Sequence, residues 1–222
     1  YLLKKGVPVN ASFTTGVGHG YTPLHAAAAA PYPDFAAKEV IELLLTNGAS
    51  LEERPIGGST PLQEAAKSGS LDNLTTLLER GADPLVTDAS GATVLHYLVS
   101  PLSRTSTASV DLLLARGVPI DAATRDGKTP LFLAVSAGNR ELAEHLLRKG
   151  ASAAVVTGDG ENLFHAMAAG YDFNPELFET LLAKGVSSSA KNRQGETPLA
   201  LAQKNGFSQR AYQHFLKKGF VP

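Results

Sequence analysis

The sequence predicts an all-α fold, a solenoid of stacked helix–loop–helix units, and three recurrences carry that reading. A Thr-Pro-Leu element stands in "GYTPLHAAA" at 20–28, "GSTPLQEAA" at 58–66, "GATVLHYLV" at 91–99, "GKTPLFLAV" at 127–135, "GENLFHAMA" at 160–168 and "GETPLALAQ" at 195–203. An apolar pair and a glycine follow each, at Gly48, Gly81, Gly117, Gly150, Gly185 and Gly219, and "LLKKGV" puts Gly6 in the same series. Successive glycines lie 42, 33, 36, 33, 35 and 34 residues apart. Between the landmarks, apolar residues recur at i, i+3 and i+4, one stripe of a 3.6-residue helix. A single unit cannot bury such a stripe alone, so the units must stack.

Each element has a local cause. Thr-Pro opens the first helix of a unit, because the hydroxyl can cap free N–H groups and proline presets the backbone at N1. Small residues fill this helix (Ala26–Ala30, Ala65 and Ala66, Ala166, Ala168 and Ala169), which lets neighbouring helices approach closely. The second helix carries the stripes Ile41, Leu44, Leu45; Leu74, Leu77, Leu78; Val110, Leu113, Leu114; and Phe178, Leu181, Leu182. Glycine then ends it by taking the left-handed conformation at C′. An extended finger leads to the next unit. Val94 and the Asn162-Leu163 pair replace the usual residues at two helix starts, which are expected to be less tightly capped.

A period near 33 with T-P-L-H-x-A resembles the ankyrin repeat, and the resemblance covers essentially the whole chain. It implies an ankyrin-repeat solenoid with inter-repeat finger loops, read as one domain over 1–222. The expected units are a partial repeat at 1–10 and repeats at approximately 11–50, 51–83, 84–119, 120–152, 153–187 and 188–222. Extra residues fall in "ASFTTGVGHG" and in the helix connections "AAAPYPDF", "SPLSRTSTAS" and "AGYDFNPEL", with Asp34 and Asn174-Pro175 as restart signals for second helices. The opening within a second helix suggests a fragment of a longer protein.

Composition narrows the function. The net charge of −1 gives no argument for nucleic acid or an anionic membrane as a general partner. Residues 1–121 carry 8 Lys+Arg against 12 Asp+Glu, and residues 122–222 carry 12 against 9, a gradient that could orient a partner or simply reflect a solvated surface. There is no cysteine, hence no disulfide and no thiolate ligand or nucleophile, as fits an intracellular protein. No signal peptide is visible, and no apolar run approaches the roughly 18 residues that a membrane helix needs.

The chemical motifs fail one by one. "RDGKTPLF" holds a Gly-Lys-Thr, but a phosphate-binding loop would need glycine at 122, where Ala122 stands. "GVGHGY" has Tyr21 where a dinucleotide fingerprint needs glycine, and "GDGEN" fails likewise. There is no G-x-S-x-G and no H-E-x-x-H. The resemblance assigns His25, His96 and His165 a backbone-ordering role, which Gln63, Phe132 and Ala200 replace in other units. No catalytic, cofactor or metal site is expected.

The resemblance instead implies recognition of a protein or peptide by a non-catalytic, monomeric module, in a groove lined by fingers and first helices. A regulatory or inhibitory element that controls an enzyme is the alternative. The finger positions are His19 and Tyr21, Ile56 and Ser59, Arg125 and Lys128, Asp159 and Glu161, and Arg193, Gln194 and Glu196. The first-helix positions are Lys67, Tyr97, Ser136 and Lys204. Tyr21 and Ile56, in adjacent fingers, form a candidate anchor, and Arg125 and Lys128 can meet Asp159 and Glu161. An aromatic cage for methylated lysine is not expected, since the chain has no tryptophan and Tyr21 and Tyr97 come from separate units.

Overall fold

A computed structural model describes residues 6, 8–13, 20–30, 37–55, 58–99, 107–170, 172–205 and 209–221. Among them twelve helices occur and no strand. The chain divides into two compact units, 1–118 and 119–222.

The first unit holds α1 (Pro23–Ala28), α2 (Ala37–Thr46), α3 (Pro61–Ser68), α4 (Leu71–Glu79), α5 (Val94–Tyr97) and α6 (Thr107–Ala115). The second holds α7 (Pro130–Ser136), α8 (Arg140–Arg148), α9 (Leu163–Ala169), α10 (Pro175–Ala183), α11 (Pro198–Lys204) and α12 (Gln209–Lys217). Each Thr-Pro-Leu element opens an odd-numbered helix, and each glycine landmark after Gly6 closes an even-numbered one. First helices pack in series, α1 on α3 on α5 and α7 on α9 on α11, and second helices do the same, α2 on α4 on α6 and α8 on α10. Ala27 and Ala28 of α1, Ala65 and Ala66 of α3, Ala134 of α7, and Ala166 and Ala168 of α9 are buried. Contact is close where Gly170 follows α9: a Cβ there would stand 2.6 Å from the Ser136 carbonyl oxygen of α7.

Three of the five threonine caps close by a side-chain hydrogen bond as the sequence implies, and Thr22 and Thr93 do not. Thr60, Thr129 and Thr197 accept N–H bonds from Gln63, Phe132 and Ala200. Asn174 Oδ1 accepts from the Leu177 N–H at 2.8 Å, and Pro175 occupies the first turn of α10. The other proposed restart, Asp34, lies outside the described residues, as do 14–19 and 100–106 of the inserted loops.

At the far ends of the second helices the glycines adopt positive φ, from 77° at Gly185 to 97° at Gly150. Each closes a paired carbonyl motif; Gly150 N–H bonds the Leu147 carbonyl and Ala151 N–H the Leu146 carbonyl. The residue after the glycine then turns inward: Ala82, Val118, Ala151, Val186 and Phe220 are all buried.

Two expectations are corrected. Asn162 is not a weak cap: its Oδ1 accepts from the Phe164 and His165 N–H groups at 3.0 and 3.2 Å, and its Nδ2 donates to the Ser187 carbonyl at 2.7 Å. An amide has both a donor and an acceptor, so it caps its helix and fastens the following loop together. The stripe of α10 is also rotated. Leu182 is 39% exposed, while Leu177 joins Phe178 and Leu181 in the core. Leu182 lies about 100° beyond Leu181 around the helix, past the edge of the buried face.

Candidate functional site

The fingers are built from backbone. In the second unit Thr124, Thr157 and Asn192 each donate their N–H across the turn, to the carbonyls of Lys128, Glu161 and Glu196 at 2.9, 2.9 and 3.0 Å. The glycine three residues on bonds back, as Gly127 N–H does to the Thr124 carbonyl at 2.8 Å. Gly127 has φ 79°, and a Cβ on it would lie 2.9 Å from the Gly158 nitrogen, so no other residue fits this tip. Neighbouring tips are joined directly: Gly158 N–H bonds the Asp126 carbonyl and Arg193 N–H the Asp159 carbonyl, both at 2.7 Å.

Histidine connects two of the fingers to the helix before them. His25 Nδ1 faces the Thr22 N–H at 3.2 Å, so it is the accepting nitrogen, and the Nε2 proton goes to the Ser59 carbonyl at 3.1 Å. His165 repeats this arrangement between Asn162 N–H and the Glu196 carbonyl. Gln63 reproduces it without a ring, its Oε1 accepting from Thr60 N–H and its Nε2 donating to the Val86 and Ala92 carbonyls. Burial, the largest influence, lowers the His25 pKa below its ordinary 6.5.

On this frame, the first unit gathers a polar cluster that no motif announces. Glu64, on α3, is 4% exposed. Its carboxylate accepts the Tyr21 hydroxyl at 2.7 Å and the Ser59 hydroxyl, and Lys67 Nζ lies 3.9 Å away. Tyr97, on α5, also senses both Glu64 and Ser59, while its own hydroxyl donates to Asp88 Oδ2 at 2.8 Å. Glu64 therefore acts on a tyrosine from the repeat before and on one from the repeat after its own. The sequence did hold a signal. The position of Glu64 is Ala26, Tyr97, Leu133, Ala166 and Leu201 in the other units, so a carboxylate there stands alone.

The electrostatics follow. Burial first, and then the hydrogen bond and charge of Glu64, push the Tyr21 phenol up to about 12. Tyr97 is raised in the same way by burial and by Asp88. For Asp88 burial acts upward, but the donors of Ser90, Tyr97 and Ala92 outweigh it and hold the carboxyl below its ordinary value.

The remaining candidate positions are placed as follows. Ser59 is buried, Tyr21 and Tyr97 are half-buried, and Lys67 is exposed. His19 and Ile56 lie outside the described residues. In the second unit Arg125, Asp159, Arg193, Gln194 and Lys204 are exposed, with Lys128, Ser136, Glu161 and Glu196 partly so. Asp159 pairs with Arg193 at 3.7 Å, and Lys204 with Glu196 at 2.7 Å. Among the described residues no group of three or more His, Asp or Glu is placed to hold a metal, and no helix is long and apolar enough to cross a membrane.

Stacked helix pairs, Thr-Pro caps, glycine-terminated second helices and tied fingers define a helical repeat protein. The model of ankyrin repeats (3 copies) matches residues 1–88 and 85–157. The chain belongs to the ankyrin-repeat family, whose repeats are in general protein–protein interaction modules. It is similar to the B-cell lymphoma 3 protein homolog of Mus musculus, 33% identical over 187 residues, which are 82% of this chain and 40% of that protein. Similar too are Rabankyrin-5 of Mus musculus, at 31% over 163 residues (72% of this chain, 14% of that protein), and Neurogenic locus notch homolog protein 1 of Homo sapiens, at 33% over 167 residues (75% and 6%). The chain spans less than half the length of these relatives.

Proposed function

We propose that residues 1–222 act as one non-catalytic, intracellular ankyrin domain that docks a segment of a partner protein on the face made by fingers and first helices. One observation carries the reading. The backbone bonds from Gly158 to Asp126 and from Arg193 to Asp159 tie neighbouring finger tips, while the side chains of Arg125, Asp159, Arg193 and Gln194 remain exposed. Side chains displayed on a backbone already ordered lose less freedom on binding, so the same contacts yield more affinity. In the first unit the buried Glu64 holds Tyr21 in place, a preset aromatic of the kind that anchors interfaces.

The test compares the chain with a double variant, Arg125→Glu and Arg193→Glu. Both side chains are exposed, and the Arg193–Asp159 pair is a surface ion pair of small stabilising effect, so the melting temperature should be unchanged. Affinity capture from native lysate, read by mass spectrometry, should give a protein held by the chain and lost by the variant. Equal capture of every protein by both would reject this face as the docking surface.

A further inference from the structure

The second unit has a recess on its second helices that the finger face does not explain. It is a shallow, open recess of about 530 Å³ between the start of α10 and one side of α12. Phe173 and Pro175 form its apolar part, and Gln209, Arg210, Gln213 and Lys217 line the rest with His214. The floor is fixed: the Phe173 ring lies 5.0 Å from His214 and 6.1 Å from both Phe178 and Phe215, centroid to centroid.

Charge gives the recess its selectivity. Among the described residues no carboxylate lines it. Both acids of α10 already have partners: Glu176 pairs with Arg140 at 3.4 Å, and Glu179 with Lys218 and, at 3.7 Å, with His214 Nε2 of the recess. That leaves Arg210 and Lys217 outside every ion pair among the described residues, and the side chains of Gln209 and Gln213 outside every hydrogen bond there. All four are exposed, and they share one side of α12, at 209, 213 and 217 with 210 beside them.

We propose that this recess binds an acidic segment of a partner protein, an Asp or Glu carboxylate on Arg210 and Lys217 with a neighbouring apolar side chain against Phe173 and Pro175. The Arg210 guanidinium offers the two parallel donors that a carboxylate accepts, and the free amides of Gln209 and Gln213 suit the peptide backbone. This site is separate from the finger and first-helix face, so the domain carries two protein contacts and either can fail alone.

The experiment titrates the 15N-labelled chain with the synthetic peptide acetyl-Glu-Glu-Phe-Asp-Glu-Leu-amide, followed by amide shifts. Two further peptides serve as controls, one with Gln and Asn at every acidic position and one with phosphoserine in place of Asp in the neutral background. The acidic peptide should move the amides of residue 173 and 209–217 and leave the finger residues unmoved. Charge reversal, Arg210→Glu with Lys217→Glu, should weaken it by about tenfold or more at unchanged melting temperature, and Arg210→Gln with Lys217→Gln should weaken it less. The proposal fails if the neutral peptide binds as well, if only the phosphoserine peptide binds, if the shifts fall elsewhere, or if charge reversal has no effect.

Discussion

Replacing His25 separates what its ring does from what its two nitrogens do. The residue is fully buried, and it joins the Thr22 N–H to the carbonyl of Ser59, which lies 34 positions beyond His25 in the chain. His25→Ala leaves both backbone groups without a partner, at about 1–3 kcal/mol each, and the missing packing brings the loss to about 3–5 kcal/mol. His25→Gln should cost no more than about 1 kcal/mol, because Gln63 already serves at the equivalent position of the next repeat, with contacts of 2.9 to 3.2 Å. The assay is urea denaturation followed by circular dichroism, with m-values compared so that only the midpoint reports stability. Acidity adds a second readout. The folded-state pKa of His25 lies below its ordinary 6.5, so the unfolded chain takes up the proton first. The stabilisation is complete above pH 6.5 and is lost as pH falls toward the lowered value, a loss that His25→Gln should remove. Were the Gln variant as unstable as the Ala variant, ring packing, including the stack on Tyr21 at 5.0 Å, would account for the residue instead.

Two further perturbations test the polar cluster and the core. Glu64→Gln removes the charge beside Tyr21 but keeps an acceptor, so the Tyr21 pKa should fall from about 12 without reaching 10, since burial is the larger cause. A 13C-tyrosine NMR titration reads this directly, and an unmoved value would separate Tyr21 from the carboxylate. Phe215→Ala opens a cluster in which Phe164, Phe178 and Phe220 surround the ring at 6.0, 5.5 and 4.8 Å, and should cost about 3–5 kcal/mol in urea unfolding. A loss under about 1 kcal/mol would mean that the last repeats adjust around the gap.

The sequence by itself determined the repeat, the order of its helices and where most of them begin and end. Those features are decided within a few residues: a hydroxyl or amide reaches the N–H groups of the next turn, proline presets one angle, and glycine alone takes the left-handed close without strain. Asn174-Pro175 and the Gly150 close are legible for that reason. The family resemblance went further and assigned His25 and His165 their backbone role, because the whole repeat recurs.

The candidate site was legible only in part. Tyr21, Ser59 and Tyr97 were identified as single positions, but their meeting around Glu64 depends on three successive repeats being stacked, a matter of residues 33 to 43 positions apart. The recess beside α12 depends in the same way on which cations the acids of α10 have already taken. Tertiary packing also decided that Leu177 and not Leu182 enters the core, and that Asn162 fastens the Ser187 loop as well as its own helix. A side chain's local bonds follow from its own type and a few neighbours. Its long-range partners follow from the stacking, which brings distant segments within bonding distance and settles which polar groups are left for something else to bind.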